Sequence, residues 1–179
     1  MTDALFSSCR LWHTAGMSNQ GKHLFFGVGY DPYSKEPINF IETRFHDLSP
    51  FSAHEVDIDG VIYKTAEHAY HALRVVPEAR AMIMNARSPH DAWRRAQTCK
   101  ERDQMLPGYD KYALMEKIFR AKLAQHEDVR AVLLESGDRE LLKVFDTDYD
   151  WGTGADGSGQ NNMGKLWMKL RGEIQTTNG

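Results

Sequence analysis

Cysteine is nearly absent: Cys9 and Cys99 are the only two in 179 residues, and no paired spacing links them. That scarcity speaks against a disulfide framework or a thiolate metal site, and both thiols are expected to be reduced bystanders. Long apolar runs are missing too. No stretch approaches the roughly 18 apolar residues of a membrane span, and Met1 to Arg10 lack the apolar core of a secretory signal. A cytoplasmic protein with no membrane partner is the expectation. Nor is there an excess of one charge, since 22 Lys and Arg stand against 25 Asp and Glu, a net charge of -3. Such a chain has no overall pull toward nucleic acid, so any phosphate recognition must be local. Repeats, low-complexity tracts and linkers are also absent, and the length suits a single domain over residues 1–179.

What is present alternates between two periodicities. His23 to Tyr30 and Ile38 to Glu42 are β-rich runs, and Asp59-Gly60 between alternating apolar residues predicts a tight hairpin. Helical patterns follow. Thr65 caps a first helix with an apolar stripe of Ala66, Ala69, Tyr70 and Leu73, and Pro77 is expected to close it off. Ser88-Pro89 opens a second, Tyr109 to Gln125 forms a third, and Asp128 to Glu135 a fourth that stops at Gly137. Glu140 to Asp146 reads as a strand. A last helix begins near Asn161, with Met163, Leu166, Trp167 and Leu170 at core spacing. The expected fold is α+β: a small, mainly antiparallel sheet packed with several helices.

Three segments could carry chemistry. Thr65-Ala66-Glu67-His68 places a carboxylate and an imidazole in a first helical turn, where an acid is also a favourable capping charge. Glu67, His71 and Arg74 share one face, facing either a site or solvent. Asp146 to Gly152 crowds acids and aromatics at a strand end; a carboxylate beside Trp151 could stack a planar base and stabilise positive charge on the attached sugar. Gly152 to Gly159 contains a formal G-x-G-x-x-G. It lacks the following strand and acid of a dinucleotide fold, which leaves a loop whose amides could approach phosphate or ribose. His68 and His71 fit neither H-E-x-x-H nor its inversion, so no metal is expected. The basic run Arg94, Arg95, Lys100 and Arg102 is interleaved with acids and reads as a solvated face.

Taken in order, these segments resemble the NADAR family, the YbiA-like N-glycosidases. The matching residues are Ser49-Pro50-Phe51, then Asp59-Gly60 with Tyr63, then Thr65, Glu67, His68 and Ala72. Arg120-Ala121-Lys122, Leu133-Leu134 with Gly137, and Asp148 with Trp151, Gly152 and Gly154 follow. Gly159, Asn161, Gly164, Met168 and Arg171 complete the set. Each piece is common, but the ordered set is specific.

The resemblance implies hydrolysis of a ribosyl C–N bond in a nucleotide-like molecule, without cofactor. Two substrates are implied: a phosphoribosylated pyrimidine intermediate of riboflavin biosynthesis, or ADP-ribosylated guanine, with ADP-ribosylated nucleic acid as a further partner. On that reading Glu67 and Asp148 are the catalytic carboxylates and Trp151 stacks the heterocycle. Gly152, Asn161 and His68 bind substrate, and Lys122 contacts phosphate. Departures from the family pattern at Arg44 to Leu48, Ala92 to Gln97 and Pro107 to Tyr109 leave the substrate open. The competing class is a module that binds ADP-ribose or a related nucleotide without turnover.

Overall fold

Asp59 and Gly60 both adopt positive φ, 56° and 82°, the backbone that a two-residue hairpin needs to match strand twist. Around this turn β2 (Val56–Ile58) and β3 (Val61–Tyr63) pair antiparallel, with Val56 opposite Tyr63. Period-two alternation buries Val56, Ile58 and Tyr63 and leaves Asp57 and Ile62 outward, while Val61, next to the turn, is exposed at the end of the inner face. A second ladder joins β1 (Ile38–Asn39) in parallel to β4 (Leu141–Leu142) from far along the chain. The computed structural model describes residues 34–41 and 43–177. Cys9, the expected strand His23 to Tyr30 and the end of the next one at Glu42 lie outside the described residues.

Helices supply most of the mass. The α+β class holds, with the strands among the described residues divided between one antiparallel and one parallel two-stranded ladder. Helix α1 (Ala66–Leu73) starts where Thr65 Oγ1 accepts the His68 amide. Pro77 does not merely end that helix, as its position suggested; it opens α2 (Pro77–Met84), because proline at the first helical position forfeits no hydrogen bond. Ser88 caps α3 (Pro89–Glu101) through the Asp91 amide. Asp110 caps α4 (Lys111–Gln125) through two amides. α5 (Glu127–Glu135) ends before Gly137, at φ 57°, and α6 is Asn162–Thr177. No described helix is long and apolar enough to cross a membrane.

The core gathers on α4 and α6. Trp167 stacks on Phe119 with ring centroids 4.1 Å apart. Met115, Ile118, Leu133, Leu141, Met163 and Leu170 are buried with them, each worth about 1.5–3 kcal/mol over exposure. The Trp167 indole N–H donates to Leu48 O at 2.8 Å. That bond roots α6 on the 3-10 turn His46–Leu48, the entry to the Ser49-Pro50-Phe51 segment.

Candidate active site

Helix α1 has no solvent face. Every residue from Ala66 to Ala72 is buried, because α2, α3, α4 and the hairpin all pack against it. Glu67, His68 and His71 therefore sit inside the protein, and a buried charged or imidazole group needs partners.

Glu67 is 8% exposed. Its amide donates to Pro50 O at 3.0 Å, tying the helix start to the Ser49-Pro50-Phe51 turn. Its Oε1 lies 2.7 Å from His71 Nε2. A carboxylate can only accept, so that nitrogen carries the proton and the neutral ring has its lone pair on Nδ1. His71 Nδ1 is buried without a hydrogen-bond partner, and Glu67 Oε2 has none among the described residues. An unmet buried polar atom beside a half-used carboxylate marks a place where a ligand can complete the network.

Aromatic rings extend outward from this pair. Tyr70 meets His71 edge-on at 5.2 Å and Trp151 edge-on at 6.0 Å. Trp151 also leans on Tyr112 at 5.2 Å. Burial pushes the Tyr70 phenol up, although Arg74 opposes it, and the Arg74 guanidinium lies 4.7 Å over the Tyr70 ring. Tyr112 OH and Lys111 Nζ each donate to Asp150 at 2.6 Å. Beside Trp151 runs a groove of about 240 Å³, lined by Tyr112, Glu116, Asn162, Lys165, Leu166 and Lys169.

The loop carrying Trp151 is held from within. Asp148 Oδ1 accepts the amides of Asp150 and Trp151, at 3.2 and 2.9 Å. Its Oδ2 takes Lys143 Nζ at 2.6 Å. The carboxyl lies below the usual range: burial pushes it up, but Lys143 and the two amides outweigh that. Gly152 is required by closeness, since a Cβ would stand 2.8 Å from Lys143 O and 2.9 Å from Asp148 O. Asn161, at φ 50°, accepts the Lys143 amide and donates to Leu141 O. Asp148, Gly152 and Asn161 thus build the mount on which Trp151 stands.

His68 and Lys122 occupy other positions. His68 Nδ1 is 2.9 Å from Thr65 Oγ1, and Nε2 is 3.4 Å from Ala86 O. Burial lowers its pKa and favours a neutral ring. Lys122 is fully buried. Its ammonium donates to Asp47 O, Ser49 O and Ser52 Oγ at 2.6, 2.9 and 2.6 Å. All three N–H groups are spent under the Ser49-to-Ser52 turn, leaving none for a phosphate. Burial pushes this lysine down to about 7.

Of the residues singled out in the sequence, Glu67 and Trp151 are bridged by a continuous run of contacts through His71 and Tyr70. Those two bridging residues carried little signal. Tyr70 belonged to the apolar stripe and His71 lacked a metal spacing, although its i,i+4 offset from Glu67 did place them on one face. Tyr112 had no local signal and Asp150 stood out only as one acid of the Asp146 to Gly152 crowd, because their meeting depends on how α4 and the late loop dock.

Residues 33–175 match the NADAR domain family. The chain is similar to the N-glycosidase YbiA of Escherichia coli (strain K12), 34% identical over 145 residues, spanning 76% of this chain and 88% of that protein. It is also similar to the chloroplastic riboflavin biosynthesis protein PYRR of Zea mays, 30% identical over 82% of this chain and 26% of that one. The NMR structure of the E. coli protein YbiA superposes with a TM-score of 0.70 at 30% identity, covering 80% of this chain and 88% of the other.

Proposed function

The chain belongs to the NADAR domain family, and from that premise we propose that it hydrolyses the N-glycosyl bond of a phosphorylated, nucleotide-like substrate with Glu67 as its catalytic carboxylate. The observation that carries the reading is Glu67 itself: a buried carboxylate fixed by His71 through one oxygen, with the other unpartnered among the described residues, next to an aromatic cluster.

The chemistry follows from that arrangement. The heterocycle stacks on Trp151, which places the ribose toward Glu67. As the C–N bond lengthens, positive charge grows on the sugar ring, and a buried carboxylate stabilises it more strongly than water does. Water then attacks the anomeric carbon, Glu67 accepts its proton, and that proton passes to the departing nitrogen, which regenerates the carboxylate. The products are a free base and a ribosyl hydroxyl. His71 is a positioning residue that fixes the Glu67 rotamer. Asp148 acts the same way on Trp151, since both its oxygens are committed within the loop.

The phosphate contact passes from Lys122 to Lys165. Lys165 is exposed, lines the groove beside Trp151, and its ammonium has no partner among the described residues. Candidate substrates are phosphoribosylated pyrimidines of riboflavin biosynthesis, to which the maize relative's name points, and ADP-ribosylated guanine. Incubating the protein with phosphoribosylated pyrimidines, NAD, ADP-ribose and ADP-ribosylated DNA, and quantifying released base, tests the proposal. Release from at least one is expected. Saturable binding to any of them without release identifies a nucleotide-binding module instead.

A further inference from the structure

A second cluster shares no residue with the Glu67 and Trp151 network. One nitrogen of His54, one of His126 and a carboxylate oxygen of Asp128 lie within 4.8 Å of one another. His54 Nε2 stands 3.1 Å from Asp128 Oδ2, close to the roughly 3.3 Å edge of a tetrahedron whose ligands lie about 2.0–2.1 Å from a central zinc. The two imidazoles meet edge to face, with centroids 4.9 Å apart.

Each ring is oriented through a hydrogen bond on one nitrogen. His126 Nε2 lies 2.6 Å from Glu55 O; a carbonyl only accepts, so the proton is on Nε2 and the neutral ring's lone pair is on Nδ1. His54 Nδ1 lies 3.0 Å from Ser52 Oγ, the same hydroxyl that Lys122 Nζ holds at 2.6 Å. Metal-binding histidines are oriented by hydrogen bonds of this kind on the nitrogen that does not bind the metal. The two chain segments are also locked in register. Asp57 N donates to Gln125 Oε1 at 2.8 Å, and Gln125 Nε2 donates back to Asp57 O at 2.9 Å.

We propose that His54, His126 and Asp128 form a binding site for one borderline divalent cation, best suited to Zn²⁺, with a fourth position open to water. Two imidazoles and one carboxylate match zinc preferences and are a poor set for Mg²⁺ or Ca²⁺, which favour all-oxygen shells. A separation of 74 residues between His54 and Asp128 explains why no spacing motif announced the site. Bound metal would clamp the start of α5 to the segment just after the Ser49-to-Ser52 turn.

The test uses the full chain, stripped with EDTA and titrated with Zn²⁺ against a chromophoric chelator, with Co²⁺ absorption as a geometric signature. One equivalent should bind, raising the melting temperature, while Mg²⁺ at equal concentration does nothing. H54A, H126A and D128N should each weaken zinc binding by at least ~10-fold and abolish the thermal shift. Asp128 is largely exposed, so D128N keeps the test valid even where a histidine variant folds poorly. Cys9, His13 and His23 are other ligand types in the chain. Undiminished zinc affinity in both D128N and H54A, or no saturable uptake by the wild type, overturns the assignment.

Discussion

Replacing Lys122 with methionine separates two roles that the same residue could have. Methionine fills nearly the same volume, so packing around α4 is conserved and the change isolates the ammonium. Three hydrogen bonds disappear, to Asp47 O, Ser49 O and Ser52 Oγ, at about 1 kcal/mol net each. The Ser52 hydroxyl lies 3.2 and 3.0 Å from the two carbonyls but has one hydrogen for both, and relief of the buried charge returns part of the loss. A net destabilisation of about 2 kcal/mol is expected, read as a shifted urea midpoint at constant slope. Proton linkage gives an independent check. Burial holds Lys122 at about 7 in the folded protein, against an ordinary 10.5. Between those values the unfolded chain binds more protons, so this group's contribution to stability rises with pH and is lost as pH falls through 7. The stability difference between wild type and K122M should therefore grow between about pH 7 and 9. A variant within about 0.5 kcal/mol of wild type, but with a raised KM for phosphorylated substrate, would refute the turn-clamp reasoning and restore Lys122 as a phosphate ligand.

Other outcomes follow from the same geometry. Trp151→Ala should lower kcat/KM by about 10–100-fold, the value of one stacked base, in steady-state assays of a protein that remains folded by circular dichroism. Asp148→Asn should lower stability at neutral pH by about 1 kcal/mol through loss of the carboxylate that pairs with Lys143. Because the Asp148 carboxyl titrates below its ordinary 3.8, its contribution is present above that value and lost as pH falls beneath it, so the two melting curves should converge in acid. Lys165→Ala should raise KM several-fold for a phosphorylated substrate and leave a dephosphorylated analogue unaffected; equal effects on both would remove Lys165 from phosphate recognition.

Local signals were legible where local physics decides. Asp59-Gly60 announced its hairpin because few other pairs tolerate two positive φ values, and Thr65, Ser88 and Gly137 marked helix ends through their own side chains or lack of one. Pro77 was ambiguous, since proline both follows one helix and starts another. The strand read over Glu140 to Asp146 contracts to Leu141–Leu142 because Lys143 turns its backbone to Asn161 and Thr153 instead of to a partner strand. At the site, Glu67 and Trp151 stood out by residue type and motif order. The burial of α1 on all sides did not, because it depends on how three helices and the hairpin fold back around it. That burial turns an apparent capping acid into a histidine-fixed carboxylate, and the bonds from Lys122 to Asp47 and Ser49, far apart in the chain, were equally out of reach of local signals.

The central claim is that Glu67 acts on the N-glycosyl bond, and Glu67→Gln tests it most directly. The amide keeps the shape and can still pair with His71, so the melting temperature should stay close to wild type. Initial rates of base release should be measured for both proteins on the best substrate in the panel. A loss of about 100- to 10,000-fold in kcat is expected, the range for removing a catalytic acid–base group. A folded Glu67→Gln protein that releases base at the wild-type rate would contradict the account.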